Sequence, residues 1–289
     1  MPSKPLFLVL PGAIAGTFAM RPRVSGSTGL TGADIALWLV VMDHHSTFGA
    51  AEMMVLEQGL ITERFGRITR QRMHESMRRL MDTEVYLAEL DRWVPAIVAM
   101  EEFPMPRTDP RVPVAPEWGF TVDPTLLRAW YDGVEAIPIR VACSQLRELT
   151  SRYAVAAWLR LLVWSGRTGV VPHDHWALAL PKTGTGLRVD VPVDELGEFF
   201  GYDVHLPASK VAALFTTGSD NRPVVMRELV RVGVDYECVP VTSAWHRKPV
   251  AYRIRMGNRS VALSDITDGR WADVSPSRPK RRRVAAAVK

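Results

Sequence analysis

The chain has 289 residues, of which 47% are hydrophobic and 23% charged, and its formal net charge at pH 7 is +5. This length suits two domains of ordinary size, and the hydrophobic content excludes a disordered chain. The positive charge favours an anionic partner, either nucleic acid or an acidic membrane surface. Cys143 and Cys238 are the two cysteines, too few for a disulfide scaffold or a structural zinc site.

The N-terminal segment, residues 1–30, contains an apolar stretch from Leu6 to Ala19. Lys4 before this stretch is a feature of a weak signal peptide, but Pro11 and Gly12 interrupt the apolar run, so a short strand and turn is the alternative. No stretch of the sequence reaches the ~20 apolar residues needed to span a bilayer. We therefore expect a cytoplasmic protein without a membrane partner.

Residues 31–135 predict a first domain with three helices and two strands. Thr31 and Asp34 have the spacing of a capping box before an all-apolar run, 35–42, which is typical of a central helix. A short helix over 60–65 precedes a third helix over 69–82, and strands are predicted at 85–87 and 93–100. The apolar residues of the third helix lie on one face: Met73, Met77, Leu80 and Met81.

The same order of elements occurs again over residues 136–260, after a connection rich in proline over 104–117. The predicted elements are a long helix at 153–164, a loop at 173–188, helices at 193–200 and 221–232 with 206–215 as a possible additional helix, and strands at 236–241 and 250–256. This helix, helix, helix and hairpin order is typical of a winged helix. We predict an α+β fold of two tandem winged-helix domains, 31–135 and 136–260, with a basic tail over 261–289.

The third helix of the first domain is the predicted reader of the DNA major groove, because Arg and Gln can each form two hydrogen bonds with a base edge. Its outer face carries Arg70, Gln71 and Arg72 near the N-terminus, which we expect to contact bases or adjacent phosphates. Arg78 and Arg79 are expected to contact the phosphate backbone. The alternative is a solvated helix face, with Glu75 paired to one of these two arginines.

The second domain offers an equivalent set of cations. Its third helix carries Arg222, Arg227 and Arg231, and Arg247 and Lys248 lie in the hairpin turn, where a wing would contact phosphate. The tail cations are expected either to neutralise further phosphates or to remain solvated; they are Lys280, Arg281, Arg282 and Arg283.

Two histidine clusters raise the alternative of a metal site. Asp43-His44-His45 and His173-Asp174-His175 supply the oxygen and nitrogen atoms that a metal ion could bind. Polar residues are also expected at helix ends and loops, where both clusters are predicted to lie. The sequence contains neither a G-x-x-x-x-G-K-[ST] phosphate loop nor a G-x-S-x-G nucleophile turn. We therefore expect no enzyme activity, no cofactor and no metal, with a metal-dependent nicking enzyme as the rival function.

Three stretches resemble the replication initiators of iteron-type plasmids, which are built from two winged-helix domains. They are Leu60 to Arg67 with the helix that follows, Trp118 to Val122, and Leu149 to Ala154. The resemblance covers roughly residues 30 to 256 in outline. One departure is the sequence at 216–220, which breaks what is one long helix in the family.

The resemblance implies sequence-specific binding to direct repeats at a bacterial plasmid origin. It also implies opening of an AT-rich region, recruitment of the host helicase or its loader, and a homodimer that represses its own promoter. A winged-helix transcription regulator without a role in replication is the nearer alternative.

Overall fold

The computed structural model describes residues 6–23, 29–48, 53–103, 116–136, 138–165, 186–192, 195–201, 224–232, 234–240 and 249–257. Several predicted features lie outside these residues: Arg222, Arg247, Lys248, the basic tail, the histidines of 173–175, the helix at 206–215 and most of the proline-rich connection. The described residues form an α+β structure with one two-stranded and three three-stranded sheets.

The N-terminal segment forms a strand and a helical turn and packs into the core. β1 is Phe7–Pro11, α1 is Gly12–Gly16 and β2 is Met20–Pro22. β1 pairs antiparallel with β8, Pro138–Ala142, which lies within the predicted second domain. Leu8, Leu10 and Phe18 are each at most 1% exposed. The boundaries at residues 30, 135 and 260 stay predictions.

The first series of helices begins with α2, Gly32–Phe48. β3 is Met53–Glu57, α3 is Gln58–Phe65 and α4 is Arg70–Met81, followed by a hairpin of β4, Thr83–Leu87, and β5, Arg92–Pro95. β2 joins this hairpin to give the sheet order β2-β4-β5. The apolar run 35–42 is buried throughout, so the prediction of a central helix is confirmed.

The strand predicted over 93–100 is wrong, because two strands of different sheets occupy it. β6, Ala99–Phe103, pairs with β7, Glu117–Thr121, in the sheet β3-β7-β6. The amide of Ala96 donates to the carbonyl of Thr83, whereas the amide of Val98 donates to Thr121. The chain therefore changes sheets just after Pro95, a residue that has no N–H to donate.

The second series follows α5, Pro124–Ala136, and α6, Cys143–Glu148. Its elements are α7, Arg152–Ser165; β9, Gly186–Pro192; α8, Leu196–Phe199; α9, Val224–Arg231; β10, Val234–Pro240; and β11, Pro249–Gly257. The hairpin of β10 and β11 is extended by β9, in the order β10-β11-β9. No helix among the described residues combines the length and apolar character needed to cross a membrane.

Candidate nucleic-acid interface

Helix α4 is held by a side-chain cap and a buried apolar stripe. The hydroxyl of Thr69 accepts a hydrogen bond from the amide of Arg72 at 3.2 Å, which satisfies one of the free N–H groups at the helix start. Met73, Met77 and Leu80 are fully buried, as the periodicity predicts, while Met81 is partly buried. Ser76 is also buried and widens the inner face of the helix.

The arginines on the outer face of α4 differ in exposure and in ion pairing. Arg72 and Arg78 are exposed, and neither has an ion-pair partner within the described part of the chain. Arg70 forms an ion pair with Glu102 of β6, with its Nε 2.8 Å from Oε1, although its side chain stays 70% exposed. The side-chain amide of Gln71 donates to the carboxylate of Glu75 at 3.0 Å. Glu75 therefore binds Gln71, whereas the sequence suggested a pair with Arg78 or Arg79.

Arg79 does not point into solvent. Its Nε and Nη2 donate to the two carboxylate oxygens of Asp34 at 2.8 and 2.7 Å. The side chains are 12% and 0% exposed, respectively. Burial alone would raise the pKa of Asp34, but hydrogen bonds from Arg79, Ser76 and Thr31 outweigh it and hold this pKa below its usual value. Arg79 is therefore paired within the protein at the N-terminus of α2, which favours a structural role, and its contact with phosphate stays a prediction.

A cavity of about 400 Å³ opens beside the N-terminal turn of α4. Arg72 and Arg147 line it together with Phe65, Thr31 and Thr150. Arg147, on α6, also donates to the carbonyls of Glu63 and Arg64 at the C-terminal end of α3. The sequence analysis missed Arg147, because its neighbourhood to Arg72 arises from contacts between α3 and α6 and not from local sequence.

The hairpin that follows α4 carries charges of both signs. Its turn contains Asp91 in a left-handed conformation, with φ 47°, and the hydroxyl of Tyr86 donates to this carboxylate at 2.6 Å. Arg92 is exposed beside the turn. The guanidinium of Arg21 stacks over Trp93 at 4.3 Å and pairs with Glu84 at 2.9 Å, so this cation is bound within the sheet.

In the second series, α9 bears two of the predicted cations. Arg231 is exposed, whereas Arg227 is half-buried and interacts with the protein. Glu228 lies between them and is 7% exposed. Its carboxylate accepts from the amides of Thr150 and Ser151 at 2.9 and 2.8 Å, at the N-terminus of α7.

In the Asp43-His44-His45 cluster, Asp43 and His45 are buried and His44 is partly buried. Asp43 accepts from the amide of Val9 at 2.6 Å and forms a short ion pair with Arg64. His45 is fully buried, and burial lowers its pKa. Among the residues that the structure describes, no group of three or more His, Cys, Asp or Glu side chains is placed to hold a metal ion.

Comparison with known proteins finds similarity in structure but not in sequence. No protein-family model matches the chain, and no curated protein matches it in sequence. The crystal structure of domains 2 and 3 of RctB is similar in fold over 86% of this chain and 98% of that chain, with a TM-score of 0.45 and 11% identity. Such a distant likeness supports no inference about function.

Proposed function

We propose that the chain is a sequence-specific double-stranded DNA-binding protein built from two winged-helix domains. The observation that carries this proposal is the order of helix, strand, helix, helix and hairpin from α2 to β5, which the described elements from α7 to β11 follow again. In a winged helix the third helix enters the major groove and the hairpin lies over the adjacent backbone. α4 and α9 occupy this third position.

The N-terminal half of α4 supplies the groups suited to base edges. Arg72 is exposed and without an ion-pair partner in the described part of the chain, and Gln71 lies beside it. A guanidinium can donate two hydrogen bonds to guanine, and a glutamine amide can pair with adenine. Arg78 and Arg147 are also exposed and would contact phosphates, which adds affinity but no sequence discrimination.

The second domain would contribute Arg231 from α9, with Arg222, Arg227, Arg247 and Lys248 as further candidates. Binding by both domains would raise the affinity above that of either one, since the second contact is made at a high effective concentration. The proposal assigns the chain no catalytic activity, cofactor or metal.

The resemblance to iteron-type plasmid initiators supports a more specific role. We infer that the DNA site is a direct repeat at a plasmid origin, and that the bound protein helps to open an AT-rich region and engages the host helicase or its loader. A cytoplasmic location and a homodimer belong to the same proposal. A transcription regulator would bind DNA equally well but would not support autonomous maintenance of a plasmid that carries the site.

The first test is selection of duplexes from a random library by the full-length chain. A defined sequence should be enriched, and Arg72→Ala should lose roughly 1–3 kcal/mol of binding free energy at that sequence but much less on scrambled DNA. Arg128→Ala is the matched control, because Arg128 is 86% exposed on α5. Absence of enrichment would reject DNA reading by this protein.

A loss that is equal on selected and scrambled duplexes would instead show that Arg72 contacts phosphate. The role in replication needs a separate assay, in which the gene and the selected repeat are placed on a plasmid without another origin. Maintenance of that plasmid supports the initiator role, and its loss favours the regulator.

A further inference from the structure

The two series of helices touch through the N-termini of their long helices. Thr31, before α2, forms an isolated antiparallel bridge with Ser151, before α7. The amide of Gly32 donates to the carbonyl of Thr150 at 2.7 Å. We name these four residues, Thr31, Gly32, Thr150 and Ser151, the junction. They occupy equivalent positions in the two series. Thr31 lies seven residues before the fully buried Trp38, and Ser151 lies seven residues before the fully buried Trp158.

The junction is tied to α4 on one side. The carboxylate of Asp34 accepts from the amide and the hydroxyl of Thr31 at 2.8 and 2.7 Å. The same carboxylate holds the guanidinium of Arg79 through two hydrogen bonds. Asp34 thus caps α2 and anchors α4 with one buried group, which links α4 to Thr31.

The junction is tied to α9 on the other side, where the carboxylate comes from α9 and not from the helix that it caps. The hydroxyl of Ser151 caps α7 by accepting from the amide of Tyr153 at 3.2 Å. α7 has no acidic residue in its first turn, and Glu228 of α9 supplies the carboxylate that Asp34 supplies for α2. Its carboxylate accepts from the amide and the hydroxyl of Thr150 at 2.9 and 2.5 Å and from the amide of Ser151 at 2.8 Å. A carboxylate that accepts from three donors makes stronger hydrogen bonds than a neutral acceptor.

The contact between the two sides leaves no room for a side chain at Gly32. A Cβ placed there would lie 2.2 Å from the carbonyl oxygen of Leu149 and 2.8 Å from the carbonyl carbon of Thr150. Both neighbours are backbone atoms and cannot rotate away. In contrast, a Cβ at Gly59 in α3 meets no atom within 4 Å.

We propose that the junction is a clamp that fixes the position of α4 relative to α9. Hydrogen bonds link Arg79 to Asp34 and Asp34 to Thr31, the peptide bond links Thr31 to Gly32, and further hydrogen bonds link Gly32 to Thr150 and Thr150 to Glu228. On the proposed function, on which this inference rests, the clamp sets the spacing and the rotational phase of the two DNA segments that the protein can bind together. Residues that contact no base would then determine which arrangement of half-sites is accepted.

The test measures the distance between the two sides of the junction without DNA. Spin labels are placed at Leu90→Cys in the first hairpin and Val230→Cys on α9, both about half exposed at 49% and 48%, with Cys143 and Cys238 replaced by alanine. Pulsed electron resonance should give a narrow distance distribution. Gly32→Ala should shift and broaden it, and Gly59→Ala should leave it unchanged.

If Gly32→Ala does not fold, Glu228→Gln serves in its place, because the amide keeps the side-chain volume but exchanges one acceptor for a donor beside N–H groups. An unchanged distribution in whichever variant folds overturns the clamp. The DNA arm uses the selected duplex with and without an insertion of half a helical turn, about five base pairs, between its two protected segments. The original chain should lose affinity on insertion, about tenfold or more, and Gly32→Ala should bind both duplexes weakly and alike.

The two proposals fail in different ways. If the labels show a fixed distance that Gly32→Ala disrupts while no duplex is selected, the clamp stands and the DNA-binding proposal fails. If a duplex is selected but the distribution is broad in the original chain, or insertion costs no affinity, the clamp fails and DNA binding stands.

Discussion

The buried ion pair between Arg79 and Asp34 permits a test of whether Arg79 stabilises the fold or contacts DNA phosphate. Replacing Arg79 with methionine keeps much of the side-chain volume but leaves the Asp34 carboxylate, which is 0% exposed, without its counterion. Removing one partner of a buried ion pair typically costs about 3–5 kcal/mol, because the remaining charge stays desolvated. We expect about 3 kcal/mol here, since Thr31 still donates two hydrogen bonds to Asp34.

The loss should also depend on pH, with a predictable sign. In the original chain the pKa of Asp34 is lowered by its hydrogen bonds, so its contribution to stability is present above the unfolded value of 3.8 and is lost only below it. Without Arg79, burial raises this pKa above 3.8, so the folded variant binds a proton as the pH falls while the unfolded chain does not. The difference in unfolding free energy between the two proteins should therefore be larger at pH 7 than at about pH 5.

Urea unfolding followed by tryptophan fluorescence at both pH values measures this difference. Arg78→Met is the matched control, because Arg78 is the exposed neighbour on the same helix and surface substitutions usually change stability by no more than about 0.5 kcal/mol. Asp34→Asn combined with Arg79→Met should recover part of the loss. If Arg79→Met is as stable as Arg78→Met but binds all DNA more weakly, Arg79 is a phosphate contact and the structural role is refuted.

Three further outcomes are expected. Met77→Ala should lower the unfolding free energy by about 2–5 kcal/mol in denaturant, because Met77 is 0% exposed in the core. His45, whose pKa is lowered by burial, should cost stability as the pH falls below its unfolded value of 6.5, by up to about 1.4 kcal/mol per pH unit, and His45→Leu should remove that part of the acid loss in thermal unfolding. Deleting residues 275–289 should weaken binding to all duplexes alike and flatten its salt dependence, whereas a loss confined to the selected site would contradict a phosphate role.

Strong local signals predicted much of the fold. The all-apolar run of α2 and the stripe of α4 each correspond to a helix with buried residues at the expected positions. β9 was missed, since 173–188 was interpreted as a loop and 193–200 as a helix, although Leu187, Val189 and Val191 alternate with Arg188 and Asp190 as a strand requires. α6 was also missed, because it is only six residues long.

The candidate site was harder to predict because a helix face does not say which cations are free. Periodicity places Arg72, Arg78 and Arg79 away from the apolar stripe. Among these three, Arg79 alone pairs with a carboxylate of the described residues, that of Asp34, which lies 45 residues away in sequence. Buried Ser76 is the one local signal, since Arg79 follows it by three positions and lies on the same flank of α4. Glu228 shows the same limit over a longer separation, because its partner Thr150 is 78 residues away. Both carboxylates cap a helix start, and that function needs only a negative charge near free N–H groups. The acid can come from the capped helix, as with Asp34, or from a neighbouring helix, as with Glu228. The connection between the two series of helices is therefore set by tertiary contacts that local sequence does not contain.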